Sequence, residues 1–217
     1  MTTLADATTA GGPPAAAPFL PHHIVPDWLG AEESEGLLSF ALAHEAAFQP
    51  ALVVQGMART VNNAVRSALV LKELGPWKPV LRQRVRRLVP ELSTRFGLSA
   101  CPAGRIEVEM AAHGDGAHFN RHIDTLTAGS RPITQGHRQL SLIYYFHRRP
   151  RGFSGGALRY YPLVPGAAGL DISPEHDRLL AFPSWAPHSV ERVSCPSGHF
   201  ADSRFAMNIW VYDGTAP

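Results

Sequence analysis

The sequence has few cysteines, no long apolar run and almost no net charge. Its two cysteines, Cys101 and Cys195, are too few for a disulfide framework and lie outside any Cys-x-x-Cys spacing, so we expect reduced thiols. No run approaches the roughly 18 apolar residues of a membrane span, and the amino terminus lacks the basic start and apolar stretch of a signal peptide. These absences predict a cytoplasmic protein without a membrane partner.

The charge balance also gives no indication of a nucleic-acid partner. Lys and Arg number 20 against 18 Asp and Glu, and a formal net charge of +2 creates no general attraction to nucleic acid. With 217 residues, 45% apolar and 18% charged, the chain can bury one substantial core. Residues 1–17 are rich in Ala, Thr, Gly and Pro without periodicity, so we predict a disordered leader and a single domain over residues 18–217. The oligomeric state cannot be inferred from composition.

Helical periodicity is confined to the first half of the chain. Residues 27–44 carry apolar side chains at helical spacing behind early glutamates, which favour a helix amino terminus. A second helical pattern covers residues 79–96, where we expect Pro90 to kink or break the helix and the arginine-rich face to be solvated. Together these patterns predict helical support over residues 27–98.

After residue 100 the pattern changes to short runs bounded by Gly, Pro, Asp and Ser, which are typical of strands. Seven such runs favour a barrel or sandwich, with the β core over residues 100–213. The longest connections, residues 126–138 and 162–177, are where binding or gating segments tend to lie, and the first is a candidate lid. The candidate strands are residues 105–110, 119–125, 139–146, 157–161, 178–182, 188–193 and 204–212.

The 11 histidines are the one compositional oddity, because imidazole is the commonest metal ligand. Two His-x-Asp tripeptides occur. His122 and Asp124 lie two apart in a predicted strand, so both side chains would leave the same face. His113 and Asp115 lie in a glycine-rich run that favours a turn. We therefore favour His122 and Asp124 as a pair of metal ligands.

A third ligand has to come from a distant part of the chain. Two imidazoles and one carboxylate form the facial set of non-haem iron oxygenases, which leaves three coordination positions open. His188 heads a predicted strand after a proline-bounded turn and is the candidate, although a surface histidine at a turn is an equal alternative. His147, His176 and His199 are weaker candidates because none of them heads a strand.

The last predicted strand carries an arginine in apolar company. Alternation places Arg204, Asn208 and Trp210 on one face of this strand. A buried guanidinium needs a partner, and its planar fork suits a carboxylate. That partner is either an acid of the chain itself, such as Glu107 or Glu109, or a bound anion, and the pattern leaves both open.

Five ordered segments carry a family resemblance: HID, QLSLIYYF, GGALRYYP, LLAFPSWAPHSV and SRFAMNIW. In this order they resemble the iron- and 2-oxoglutarate-dependent dioxygenases, and among them the prolyl 4-hydroxylase-like group. The resemblance covers residues 100–213 and implies an α+β, mainly β fold. This fold is a double-stranded β-helix, a jelly-roll or cupin-like barrel, with N-terminal helices packed on one sheet. The resemblance also implies that His122, Asp124 and His188 bind Fe(II).

The same resemblance implies a site for 2-oxoglutarate. Arg204 would hold its distal carboxylate, and Tyr145 and Asn208 would lie beside it, although which of Tyr144 and Tyr145 faces the pocket is left open. Two positions depart from the family pattern. Arg204 stands sixteen residues beyond His188, where relatives have nine or ten, which makes Arg192 a rival anchor. Ala112 stands where many relatives carry a tyrosine near the cosubstrate.

The implied activity is an O2-dependent hydroxylation of an unactivated C–H bond that releases succinate and CO2, with ascorbate as a candidate reductant. The substrate class stays open between a prolyl or amino-acid-like group and another small molecule or peptide. A non-catalytic β-barrel binding module with structural histidines is the alternative from another class. A zinc hydrolase with the same three ligands is a third, although it gives Arg204 no clear task.

Overall fold

The computed structural model describes residues 21–55, 58–98, 104–125, 136–163 and 168–213. The predicted leader and most of the candidate lid lie outside these ranges. The helices are α1 (Ala31–Ala43) and α2 (Trp77–Arg95). The strands are β1 (His23–Val25), β2 (Gln49–Pro50), β3 (Leu52–Gln55), β4 (Ala58–Val61), β5 (Arg66–Ser67), β6 (Leu69–Leu71), β7 (Ile106–His113), β8 (His118–His122), β9 (Arg138–Phe146), β10 (Ser154–Gly155), β11 (Leu158–Tyr160), β12 (Leu170–Ile172), β13 (Arg178–Pro183), β14 (His188–Val190), β15 (Val193–Ser194) and β16 (Arg204–Tyr212).

Two antiparallel sheets form the body of the molecule. The major sheet has seven strands in the order β1-β13-β9-β16-β7-β6-β2, and the minor sheet has five in the order β12-β11-β14-β8-β5. From β7 onward the chain passes repeatedly between the two sheets, as a double-stranded β-helix requires. The predicted fold class is therefore confirmed, and both helices lie on the major sheet, as expected.

Strict alternation divides the apolar side chains of the major sheet between two cores. On β9, Leu142 and Tyr144 pack with the helices, whereas Ile143 and Tyr145 pack against the minor sheet. Residues of α1 and α2 complete the first core with one stripe each, which is why their apolar residues recur at helical spacing. The second core, between the sheets, is the one that borders the candidate site.

The second helix differs from its expected form. It runs without a break through Pro90, which is exposed, as is Arg86 four residues before it, so water can satisfy the carbonyl that proline leaves without a donor. Its arginine face is only partly solvated. Arg84 donates to Glu33 of α1 at 2.6 Å, and Arg82 donates to the backbone carbonyl of Ile106 at 2.9 Å. These bonds tie α2 to α1 and to the major sheet.

The sequence missed β1, the short strands between the helices, and both β10 and β12 in the second half. Residues 49–71, within the predicted helical support, contain β2 to β6, and the connection 162–177 contains β12. Each of these strands has two to four residues, too few to show a period of two. Within the described ranges, neither helix is long and apolar enough to cross a membrane.

A buried carboxylate joins three parts of the fold. Asp177, which is 3% exposed, accepts hydrogen bonds from the backbone N–H groups of Leu29 and Gly30 and from the hydroxyl of Tyr144, all at 2.9 Å. Burial and this carboxylate raise the pKa of Tyr144, so its hydroxyl stays a donor. Asp177 thereby fixes the residues before α1 to strand β9 and to the start of β13.

We expect Asp177→Ala to lower the free energy of unfolding by about 3 kcal/mol or more, because three buried donors lose their acceptor. The measurement is urea unfolding followed by tryptophan fluorescence. Asp171→Ala is the control, since Asp171 forms an exposed pair with Arg159 and its loss should leave stability nearly unchanged. Equal losses in the two variants would contradict this assignment to Asp177.

Candidate active site

The structure brings the distant His188 together with His122 and Asp124. One ligand atom each from His122, Asp124 and His188 lies within 4.8 Å of the other two. The Nε2 atom of His122 is 3.7 Å from Asp124 Oδ1, and the Nε2 atom of His188 is 3.8 Å from Asp124 Oδ2. The cause is the antiparallel pairing of β8 with β14, in which His188 stands directly opposite His122.

The strand that carries His122 is irregular. From Phe119 to His122 the chain advances three residues, while its partner advances two, from Val190 back to His188. This bulge lets side chains three positions apart share a face, which regular alternation forbids. The Phe119 ring accordingly stacks on the His122 imidazole, with ring centroids 3.6 Å apart.

The predicted strand over residues 119–125 ends at His122, so Asp124 lies in the bend that follows and not in the strand. Its backbone N–H donates to the carbonyl of Ser184 at 2.9 Å, and its Oδ2 accepts a hydrogen bond from the hydroxyl of Ser141 at 2.7 Å. Ser141 and Ser184 also bond to each other at 2.8 Å. The expected regular alternation was therefore wrong for Asp124, which is aimed by these contacts.

Backbone carbonyls fix the orientation of both imidazoles. His122 Nδ1 lies 2.8 Å from the carbonyl of Asn120, and His188 Nδ1 lies 3.0 Å from the carbonyl of Ala186. A carbonyl only accepts, so each Nδ1 carries the proton and each Nε2 presents its lone pair toward Asp124. This is the tautomer in which histidine binds a metal through Nε2.

The electrostatic surroundings keep the donor set ready for a cation. Burial and the adjacent His188 lower the pKa of His122 to about 4, so its ring is neutral at pH 7. Burial alone would raise the pKa of Asp124, but the two imidazoles, Arg138 and the bond from Ser141 hold it below its ordinary value. The Nε2 atoms of the two imidazoles and the Asp124 carboxylate thus lie around one point.

Arg204 lies in the same interior, and it is 1% exposed. It lines one small chamber together with all three of these side chains. Its Nη1 lies 3.3 Å from His113 Nδ1, whereas its Nε and Nη2 have no hydrogen-bond partner among the described residues. The guanidinium is therefore buried, charged and free to bind an anion.

The alternative that Arg204 pairs with an acid of the chain is wrong for the part described. Glu109 pairs with Arg66 at 2.8 Å, and Glu107 pairs with Arg138 at 3.3 Å. The pairing of these two arginines with Glu109 and Glu107 was missed from the sequence, because an ion pair between distant strands leaves no local pattern.

Tyr145 is the tyrosine that faces the interior. Its ring lies under the Arg204 guanidinium, 4.9 Å from centroid to Cζ, and its hydroxyl has no partner among the described residues. Burial raises the pKa of Tyr145, which keeps the hydroxyl protonated and able to donate. Tyr144 points to the helices instead. Asn208 and Trp210 line the chamber with Arg204, as strand alternation predicts.

The rival candidates lie elsewhere or act differently. Arg192 is exposed and donates to the carbonyl of Gly116 at 2.8 Å. Asp115 accepts from the backbone N–H of Cys195, so it does not pair with His113 as a ligand. Ala112 packs on the helix side, and its neighbour His113 occupies the chamber beside Arg204.

The three weaker histidine candidates, His147, His176 and His199, lie outside the cluster of His122, Asp124 and His188. His147 and His176 contact each other, with His176 Nδ1 2.7 Å from the carbonyl of His147. His199 is exposed in the loop before β16. None of them belongs to the metal-ligating cluster found in the described residues.

A wide groove of about 1040 Å³ leads from the surface to His122 and Asp124. One wall is mostly apolar, comes from the segment that contains β3 to β6, and carries Arg66. The other is charged and aromatic and comes from β7, β9 and β16. Among the lining residues are Leu52, Val53, Val61, Val65, Arg66, Val70, Glu107, Glu109, Phe119, Arg138, Trp210 and Tyr212. Arg66, Phe119 and Trp210 line both the groove and the chamber.

Comparison with known families identifies this arrangement. The family model of the 2OG-Fe(II) oxygenase superfamily matches residues 108–212, which include the three converging side chains and Arg204. Residues 108–212 thus match the 2OG-Fe(II) oxygenase superfamily. The matched family implies Fe(II) and 2-oxoglutarate, and the donor set and the unpaired guanidinium fit the two groups.

The similar proteins include hydroxylases. An uncharacterised PKHD-type hydroxylase of Synechocystis is 29% identical over 204 residues, covering 89% of the chain, and the chain spans 64% of that relative's length. A Trichoplax adhaerens prolyl hydroxylase, solved with a hypoxia inducible factor peptide, is 22% identical with a TM-score of 0.63 over 89% of this chain and 84% of its own. A Pseudomonas putida prolyl-4-hydroxylase is 18% identical with a TM-score of 0.61 over 89% and 93%. These solved structures support the double-stranded β-helix fold.

A glycine makes room for the buried guanidinium. Gly156 has φ +69°, and a Cβ there would come within 2.7 Å of Arg204 Cδ and 2.9 Å of Val193 Cγ2. We expect Gly156→Ala to lower the free energy of unfolding by about 3 kcal/mol, since overpacking adds to the cost of a left-handed alanine. Gly198→Ala is the matched control, because Gly198 has φ +66° and open space around it. It should cost only about 1 kcal/mol in the same denaturation experiment. Equal costs would show that Gly156 does not serve Arg204.

Proposed function

We propose that this chain is an Fe(II)- and 2-oxoglutarate-dependent dioxygenase that hydroxylates an unactivated C–H bond. The observation that carries the proposal is one chamber holding both a His-Asp-His donor set and a buried guanidinium without a carboxylate partner among the described residues. A binding module with structural histidines, or a zinc hydrolase, would leave Arg204 buried at a cost without a task.

In this proposal His122, Asp124 and His188 hold Fe(II), while Arg204, with Tyr145 and Asn208, holds 2-oxoglutarate. The chemistry that Fe(II) and 2-oxoglutarate supply when bound is the insertion of one atom of O2 into a C–H bond, while the other enters succinate and CO2 is released. Ascorbate is the proposed reductant for restoring ferrous iron. The substrate proposed is a prolyl or amino-acid-like group, or another small molecule or peptide, that enters by the groove.

The chain's own residues hold the binding groups in position. Arg204 and Tyr145 offer two unpartnered guanidinium nitrogens and one unpartnered hydroxyl to a carboxylate, and both residues are buried. Ser141 and Ser184 fix Asp124, and two backbone carbonyls fix the imidazoles. Because these groups are held before any ligand enters, binding needs little reorganisation, which is how a protein site orients reactants.

Conversion of 2-oxoglutarate to succinate by the purified protein should require Fe(II) and O2, and slow conversion is expected even without added substrate. His122→Ala and Asp124→Ala should each lower it at least about a hundredfold, because two remaining ligands do not retain the ion. His199→Ala, at an exposed histidine away from the site, is the control and should keep the wild-type rate. Succinate formation measured by chromatography decides, and unchanged turnover in the first two variants would refute the ligand assignment. A wild-type protein that binds neither iron nor 2-oxoglutarate would belong to the binding-module class.

Ser141→Ala tests the support of Asp124 separately from the ligands. Loss of its hydrogen bond should weaken binding of Mn(II), used as a redox-stable substitute, by about 10- to 100-fold. Titration of the metal-free protein followed by electron paramagnetic resonance measures the affinity. Ser93→Ala is the control, since Ser93 is equally buried but lies on α2. Identical affinities in the two variants would exclude this role for Ser141.

A further inference from the structure

A second buried arginine borders the chamber on the side of the groove. Arg66, on edge strand β5, is 9% exposed and stands opposite Phe119 of β8. Its guanidinium lies over the Phe119 ring, 5.2 Å from Cζ to centroid, on the ring that stacks with His122. Arg66 is therefore next to the ligand set, and it lines both the groove and the chamber.

The hydrogen bonds of Arg66 are incomplete. Its Nη2 donates to Glu109 at 2.8 Å, while its Nε is buried and has no partner among the described residues. Arg138, which pairs with Glu107 on β7 two residues from Glu109, shows the contrast. Its Nε donates to Tyr212, its Nη2 to Glu107 and its Nη1 to the Asp124 carbonyl. Of these two arginines, Arg66 therefore retains a buried N–H donor, at Nε, that a ligand could use.

Arg66 and Arg204 both line the same chamber. Both line the chamber with His113, and the positive charges of both contribute, after burial, to a lowered pKa of His113. Arg204 lies beside Tyr145, and Arg66 lies beside Phe119 and His122. A ligand that spans this chamber meets one guanidinium at the ligand set and another beside Tyr145.

We propose that Arg66 is a second anchor for 2-oxoglutarate and binds the carboxylate adjacent to its keto group, while Arg204 binds the distal carboxylate. This inference rests on the proposed function. A dicarboxylate carries two charges into a buried chamber, and two guanidinium groups with unused donors complement both of them. Glu109 compensates the charge of Arg66 when no ligand is bound and occupies only one of its nitrogens.

The test uses three probes that differ by one carboxylate. 2-Oxoglutarate has both, 4-oxopentanoate lacks the one beside the keto group, and 2-oxopentanoate lacks the distal one. Each is titrated calorimetrically into the Mn(II)-loaded protein without O2. Arg66→Leu should weaken 2-oxoglutarate and 2-oxopentanoate at least about tenfold and leave 4-oxopentanoate within about threefold. Arg204→Leu should instead weaken 2-oxoglutarate and 4-oxopentanoate and leave 2-oxopentanoate.

Three further variants keep the result interpretable. Arg66→Lys retains the charge and serves if Arg66→Leu does not fold. It should weaken the same two probes selectively, by a smaller factor. Glu109→Gln breaks the ion pair but keeps Arg66, and it should bind 2-oxoglutarate within about threefold of wild type. Arg84→Leu removes an arginine that pairs with Glu33 between the two helices, away from the chamber, and should leave the affinity ratios of the three probes unchanged.

The outcomes separate this inference from the proposed function. Wild-type protein that binds none of the three probes contradicts the proposed function itself. Wild-type binding with equal losses for all probes in Arg66→Leu, or no loss for any, overturns the assignment of Arg66. The same pattern in Glu109→Gln as in Arg66→Leu would make the pair structural and also overturn it.

Discussion

The pairing of β8 with β14 is the constraint on which the site depends. It places His188 opposite His122 although the two are 66 residues apart in the chain. A three-ligand site needs its donors fixed to within a fraction of an ångström, which strands achieve better than free loops. The bulge in β8 adds the second requirement, because it puts Phe119 and His122 on one face. The short bend after β8, fixed by the hydrogen bond from the Asp124 N–H to the Ser184 carbonyl, then brings Asp124 beside the two histidines.

The layering of the fold explains why this site is polar at its centre and apolar around it. One face of the major sheet packs on the two helices, and the other closes over the minor sheet. A chamber between sheets has a low dielectric. There an unpaired charge costs free energy, and the attraction between two opposite charges is strong. Arg204, Arg66 and Asp124 therefore identify the chamber as a place for ions. In the proposed function, Asp124 faces the cation and the two guanidinium groups face the anion.

The sequence was informative wherever a side-chain period was long enough to read. Nine residues of β16 showed that Arg204, Asn208 and Trp210 share a face, and both long helices were found from their stripes. The strands β2 to β6 were missed because two to four residues show no period, and Arg66 lies on one of them. The bulge was equally invisible, since it depends on the partner strand. The contacts of Arg66 and Arg138 required the tertiary structure.

Alternation along β7 decides which arginine stays free for an anion. Its inward positions include Glu107, Glu109 and His113, which meet Arg138, Arg66 and Arg204 in that order. Near the groove the strand offers carboxylates: Glu107 pairs with Arg138, and Glu109 takes one nitrogen of Arg66 and leaves its Nε without a partner among the described residues. At the chamber it offers an imidazole whose pKa is lowered well below the ordinary value, first by burial and then by the two nearby guanidinium groups. A neutral ring accepts one hydrogen bond without cancelling the charge, whereas a carboxylate at position 113 would pair with Arg204 and compete with any incoming acid. The choice of histidine at this one position is therefore what leaves the chamber positively charged where a dicarboxylate would end.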